Sequence, residues 1–134
     1  MNNLPTFGAY AAAFEETLVD DDWSRLEAYF TEDAVYLPGD GTQATGRDAV
    51  LEALRDSVNR LDRKSDAREV AGAPDVSEDG DTVTLKFTVV FKKAGLPDLN
   101  LVGVETAQFR DGAIQRMEDV IEDPQAMQDW MAKL

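Results

Sequence analysis

Apolar positions recur with one period in the first half of the chain and another in the second. Tyr10, Phe14, Thr17 and Leu18 lie three or four residues apart, the spacing of one helix face. Pro5-Thr6 is a start signal, and the run Asp20-Asp21-Asp22 marks its end. Asp22 is placed to cap a second helix that buries Trp23, Leu26 and Phe30. Ala34-Val35-Tyr36-Leu37 reads as a short strand, stopped by Pro38-Gly39 and a turn-rich loop through Gly46. From Arg47 onward Val50, Leu51, Leu54, Val58 and Leu61 trace the apolar stripe of a third helix.

Beyond that point the period falls to two. A weak strand is expected over 67–76, followed by a turn at Gly80-Asp81. Val83, Leu85, Phe87, Val89 and Phe91 then alternate with Thr84, Lys86, Thr88 and Lys92, the clearest strand pattern in the chain. Two further strands, 99–109 and 113–122, are joined at Asp111-Gly112, and Asp123-Pro124 ends the sheet. The tail, 125–134, has room for one or two helical turns carrying Met127, Trp130 and Met131. Helices first and strands after predict an α+β domain, and 134 residues without a linker or repeat predict a single one, 1–134.

Composition narrows the chemistry. At 43% hydrophobic the chain can build one core. It has neither cysteine nor histidine, so proton transfer falls to carboxylates, tyrosines or lysines, and thiolate nucleophiles and ordinary zinc sites are excluded. The net charge is −14, from 27 acidic and 13 basic residues, which disfavours nucleic acid and anionic membrane surfaces as partners. No apolar run reaches the roughly 20 residues of a membrane span. The start Met1-Asn2-Asn3-Leu4-Pro5 lacks the basic and apolar regions of a signal peptide, so a cytoplasmic location is expected. The clusters Asp20-Asp21-Asp22 and Glu78-Asp79-Gly80-Asp81 read as solvated turns. The second lacks the distal glutamate and helical flanks of a calcium loop.

Three short segments carry a family resemblance: Phe30-Thr31-Glu32-Asp33-Ala34, Gly46-Arg47-Asp48-Ala49-Val50 and Phe109-Arg110-Asp111-Gly112-Ala113-Ile114. They resemble the F-x-x-D-A strand entry, the G-R-x-A-I helix start and the F-x-D-G-x-I hairpin of SnoaL-like and ketosteroid-isomerase-like domains of the nuclear-transport-factor-2-like superfold. The resemblance implies a cone-shaped roll, with three N-terminal helices packed in a curved, mostly antiparallel mixed sheet. It implies a mostly apolar pocket in the cone and a homodimer through the outer sheet face. Val90, Val102 and Val104 are apolar positions expected on that face.

The resemblance also points to site residues. Ketosteroid isomerases carry a tyrosine on the first helix, a carboxylate base after the first strand and a protonated carboxylic acid in the sheet. Phe14 stands at the tyrosine position, one turn from Tyr10. Leu37 or Pro38 stands at the base position, with Asp40 the nearest carboxylate. The third position corresponds to Glu105, in strand phase with Gly103, Ala107 and Phe109. Asp119, in phase with Met117 and Ile121, is similar in location to the late-strand aspartate of SnoaL-like cyclases and limonene-epoxide-hydrolase-like members. The histidine of the cyclases is absent, and Arg110 and Arg116 are out of phase for the aspartate–arginine–aspartate set of the epoxide hydrolases.

Whether the two acids share a face depends on the hairpin. A two-residue Asp111-Gly112 loop pairs Phe109 with Ile114 and separates them. A three-residue loop with Gly112 in a bulge pairs Phe109 with Ala113, sets Glu105 opposite Met117 and brings both acids to one side. The second is preferred because it groups Met117 and Ile121 with the apolar face.

Two carboxyls in an apolar hollow cannot both ionise cheaply, which leaves one as acid and the other as base. The expectation is a pocket for a small, mostly apolar molecule of polyketide, terpenoid or steroid character. Its walls would be Tyr10, Phe14, Tyr36, Leu54, Val58, Phe87, Phe109 and Met117. Glu105 and Asp119 would be the catalytic pair of a cofactor-independent isomerase, cyclase or hydratase, with no metal. The alternative is a non-catalytic ligand-binding or dimeric accessory domain. In that case Glu105 bonds a neighbouring strand or a water, and Asp119 is solvated at the mouth.

Overall fold

The structure, a computed structural model, describes residues 3–134, so the first two residues of the N-terminal reading lie outside it. Helix α1 spans Leu4–Asp20, with a proline in its first turn, where a missing N–H costs nothing. It ends at Asp21, whose left-handed backbone (φ 60°) returns its N–H to the Thr17 carbonyl. Phe7, Tyr10, Ala13 and Thr17 form its buried face.

The second expected helix is instead a 3-10 segment, Trp23–Tyr29. Its Asp22 side chain does not cap the backbone; it accepts from the Ser24 hydroxyl at 2.5 Å. Phe30, read as helical, opens strand β1 (Phe30–Leu37). The physical reason is burial: Phe30, Ala34 and Tyr36 are wanted on the inner sheet face, and extended backbone delivers them there. The loop after β1 forms a two-residue strand β2 (Ala44–Thr45), and Gly46 leads into helix α2 (Arg47–Arg60). Val50, Leu51, Leu54 and Val58 are buried on α2, as the stripe predicts.

The 67–76 strand divides in two. Strands β3 (Ala67–Val70) and β4 (Asp75–Asp79) pair in succession with the same edge of β5 (Thr82–Lys92), and the chain leaves that edge between them at Gly72 (φ 70°). Strands β6 (Leu99–Arg110) and β7 (Ala113–Ile121) complete one sheet of order β2-β1-β7-β6-β5-β3, with β4 also on β5. Only β1 and β7 run parallel, so the sheet is mixed and mostly antiparallel. Helix α3 (Pro124–Met131) follows, capped by the Asp123 carboxylate on the Ala126 N–H at 3.0 Å. Among the described residues no helix is long and apolar enough to cross a membrane.

The β6–β7 hairpin differs from both expected registers. Its loop has two residues, Asp111 and Gly112, both at positive φ (53° and 82°), and Phe109 pairs with Ile114. The register then shifts between Gln108 and Phe109, because Gln115 is an extra residue on β7. Beyond this bulge Gln108 faces Arg116, Ala107 faces Met117 and Glu105 faces Asp119. The three-residue loop and the Glu105–Met117 pairing are therefore wrong. The bulge, placed within the strand, is what brings the two acids to one side.

Two apolar clusters line the inner sheet face. The first joins α1, the 3-10 segment, β1 and α2 to Val83, Ala107, Phe109, Ile114 and Met117, with Phe14 and Leu85 packed against it. The second joins Leu61, Val89, Phe91, Leu99 and Trp130, with Phe87, Leu101, Met127 and Met131 at its margin. Trp130 anchors α3 there through its indole N–H on the Pro97 carbonyl, 2.7 Å.

Candidate functional site

The gap between the clusters is where the acids stand. Along β5 the switch from first to second cluster falls between Leu85 and Phe87. On β6 it spans Glu105 and Gly103, which pair with those two residues. On β7 it falls at Asp119, one strand period past the buried Met117. Register alone thus puts Glu105 directly opposite Asp119 on the inner face, with Leu85 on the other side of Glu105.

Two tyrosines converge on the pair. Tyr36, 3% exposed, donates its hydroxyl to Asp119 Oδ2 at 2.5 Å. Tyr10, 4% exposed, is close enough for both carboxylates to oppose ionisation of its phenol, after burial itself. Its ring packs against Phe7, Phe14, Tyr29 and Phe30 at centroid distances of 5.5–6.4 Å. Glu105 and Asp119 themselves are half-buried by surface area. Their carboxyls nonetheless lie deep in the protein mass, and that depth governs their titration.

Burial pushes the Glu105 carboxyl well above the ordinary range, and the neighbouring Asp119 charge and the hydrogen bond to Asp119 push it the same way. Burial also raises Asp119, but hydrogen bonds from Glu105 and Tyr36 pull it back. Burial and the Asp119 charge both favour the neutral form of Glu105, whereas the Tyr36 hydroxyl favours the anion of Asp119, so the pair's proton is held on the Glu105 side. Asp119 Oδ1 is buried and has no hydrogen-bond partner among the described residues. None of the groups that shift either carboxyl is a lysine or arginine. The site is a neutral acid beside a carboxylate, flanked by two protonated phenols, on an otherwise apolar wall. Such a set can take a proton at one atom and return it at another within one substrate.

Of the expected wall residues, Tyr10, Tyr36, Leu54, Val58, Phe109 and Met117 are buried in the first cluster and Phe14 is half-buried against it. Phe87 is not with them: it belongs to the margin of the second cluster. The end of its ring lies over Gly103, so close that a Cβ there would stand 2.7 Å from the ring. The Phe87 ring therefore covers Gly103, which stands one strand period from Glu105 on β6. Asp40, the nearest carboxylate to the isomerase base position, is outside the site, bonded to Thr42 in the β1–β2 loop. Two surface hollows, about 380 and 230 Å³, lie against α2 and are ringed by charged residues. Neither includes Glu105 or Asp119, so neither is the pocket expected over the acid pair.

Sequence reasoning missed three contributors. Tyr36 reads as a wall residue, yet its hydroxyl partners Asp119. No sequence signal points to that bond, because the place of Tyr36 opposite Met117 appears only in the register of the parallel strand pair. Gly103 and Gly39 both lie at close approaches, the latter against the Asp119 carbonyl. Only the Pro38-Gly39 pair, read as a strand stop, hinted at either.

Comparison with known proteins agrees with the architecture. A SnoaL-like domain model matches residues 10–117. Among solved structures, TerC co-crystallised with polyporic acid superposes with TM-score 0.69 at 20% identity, covering 92% of this chain and 96% of that one. A candidate polyketide cyclase from Xanthomonas campestris pv. campestris gives 0.66 at 22% identity, covering 98% of each chain. Bal32a, from a soil-derived mobile gene cassette, gives 0.72 at 13% identity, covering 97% and 99%. No curated protein matches the chain by sequence. With the matched span covering most of its length, the chain belongs to the SnoaL-like domain family.

Proposed function

We propose that the chain binds a small, mostly apolar molecule, polyketide-, terpenoid- or steroid-like, against the inner sheet face. There Glu105 and Asp119 carry out cofactor-independent isomerisation, cyclisation or hydration. The observation that carries this reading is the direct opposition of Glu105 and Asp119 between two apolar clusters, with the Tyr36 hydroxyl on Asp119. Asp119, the anion, removes a proton from carbon or from water. Glu105, held neutral, donates to the oxygen on which negative charge develops. Tyr10 and Tyr36 stay protonated because burial and the carboxylate oppose their ionisation. Tyr36 orients Asp119 by its hydrogen bond. The half-buried Phe14, Leu85 and Phe87 are the side chains that move aside to admit a ligand.

A second reading, ligand binding without turnover, is favoured by one observation. Phe14 stands where isomerases carry a phenol, and Leu37 or Pro38 where they carry a base, and none of these can exchange a proton. The two readings separate in one experiment. A thermal-shift screen of polyketide-like, terpenoid and steroid compounds first finds a ligand, since binding the folded state raises its melting temperature. Wild type and Glu105→Gln are then compared for binding and for conversion of that compound. Under the catalytic reading the variant binds within a few-fold of wild type and loses at least about 100-fold in turnover, the usual scale of general acid–base catalysis. A variant that retains full turnover removes Glu105 from the chemistry. A wild type that binds and converts nothing leaves the binding reading.

A further inference from the structure

Strand β1 pairs with β7 only as far as Leu37 opposite Glu118. One residue further along β7, where β1 no longer runs, is Asp119. Its carbonyl there meets not a strand but the Cα of Gly39, in the turn that follows β1. A Cβ built on Gly39 would stand 2.6 Å from the Asp119 carbonyl oxygen and 3.4 Å from its carbon, both backbone atoms that cannot swing away. From this close approach we infer that Gly39 is a positioning residue for Asp119: its missing side chain lets the β1–β2 turn seat against β7 and fixes the distance from Tyr36 to the Asp119 carboxylate. The inference rests on the acid-pair reading of the site.

The geometry couples the two because both partners of the hydrogen bond are attached to the contact. Tyr36 is three residues before Gly39 on the same strand end, and its hydroxyl reaches Asp119 Oδ2. If a methyl group at position 39 pushes the turn away, it pulls on the segment that carries Tyr36. If the turn holds, the methyl pushes on the backbone that carries Asp119. Either movement lengthens the same bond. Gly39 also has a positive φ, 94°, which any L-residue would strain. Gly41, in the same turn, shares that constraint at φ 88° but has nothing within 4 Å of the Cβ position. It therefore carries the backbone strain without the contact.

That difference makes the test. Carbon-13 carboxyl NMR of Asp- and Glu-labelled protein follows the titration of the pair without any substrate. In Gly39→Ala the weakened Tyr36 hydrogen bond, which favours the anion, is expected to raise the Asp119 titration by about one pH unit. Gly41→Ala is expected to lose stability yet titrate as wild type, and Tyr36→Phe supplies the shift for complete loss of the bond. If alanine at 39 prevents folding, the comparison is repeated with asparagine at 39 and at 41, since asparagine tolerates positive φ. Equal titrations in the two glycine variants overturn the inference. A wild type whose pair titrates in the ordinary range overturns the acid-pair reading instead.

Discussion

A carboxyl group that remains protonated in the folded chain is a cost to folding at neutral pH. Glu105 holds a proton that the unfolded chain releases, because an unfolded glutamate ionises near pH ~4.3. The folded state then binds more protons than the unfolded state, and stability falls as pH rises from that value up to the raised folded value. The slope approaches about 1.4 kcal/mol per pH unit for one proton. Glu105→Gln removes the titrating group and keeps a donor for Asp119. Its stability relative to wild type is therefore expected to climb as pH rises above about 5, measured by urea unfolding at each pH. Asp20 and Asp33, held to about 2 by Arg25 and Arg110, act in the other direction, losing their contribution as pH falls toward that value. They are present in both proteins and cancel, as does the half-buried Asp62, raised by its own burial. Two stability curves that stay parallel across this range would mean that Glu105 is ionised in the fold. At this scale the sequence was informative in part: strand phase set Glu105 with Phe109 and Asp119 with Met117, but that the two share the inner face depended on the hairpin. The Tyr36 hydroxyl was not legible, because no single-chain pattern says which buried tyrosine has a partner across a parallel strand pair.

At the scale of elements, the local rules were readable wherever one strand or helix answered to its own residues, and failed where two elements had to fit. The alternation from Val83 to Phe91 gave β5 because both its faces are specified by side chains. The Asp-Gly loop carried a strong two-residue turn signal, and the structure has that turn. What the sequence could not show is the extra residue at Gln115: a polar residue next to outward-facing Arg116 leaves no mark of a bulge. The bulge nonetheless decides the partner of every residue from Gln108 to Gly103. Phe30 failed for a similar reason, since its helical spacing from Trp23 and Leu26 is real and the sheet claims it anyway. The fit of Phe87 over Gly103 gives a test at this scale. Gly103→Ala puts a methyl group 2.7 Å from the ring end, closer than side-chain carbons approach. The expected cost is about 1–3 kcal/mol of overpacking. Phe87→Leu, which shortens the side chain at that point, is expected to recover most of it in the double variant. Chemical denaturation of all four proteins closes the cycle. Additive costs would show that the ring does not rest on position 103.

At the scale of the whole molecule, charge and the outer sheet face must be read together. A net charge of −14 opposes bringing two copies together, unless the surfaces that meet are themselves free of that excess. The outer face of β5, β6 and β7 is such a surface. Lys86, Lys92 and Arg116 stand on it with Glu118, Arg116 pairs Glu118 at 3.5 Å, and at the β3–β4 edge Glu69 pairs Lys92 at 3.6 Å and Asp75 lies opposite Lys86, so acidic and basic groups are interspersed there. At its centre Val104 lies opposite Val120, with Val102 and Val90 beyond, and Val102 and Val120 are 39% and 57% exposed. Val90, Val102 and Val104 were expected there from strand phase; Val120 joins them only through the bulge. We propose that two copies pair across this valine patch, where a contact of about 800 Å² per copy is the usual size of a stable interface. Sedimentation equilibrium is expected to show a dimer that tightens with added salt, because screening weakens the repulsion between the two acidic bodies. Val104→Lys with Val120→Lys would place four ammonium groups in the shared patch. That variant is expected to sediment as a monomer while keeping the wild-type titration of Glu105 and Asp119, which lie on the opposite face of the same strands. A wild type that is monomeric at all concentrations, or a double-lysine variant that still dimerises, would move the interface elsewhere or remove it.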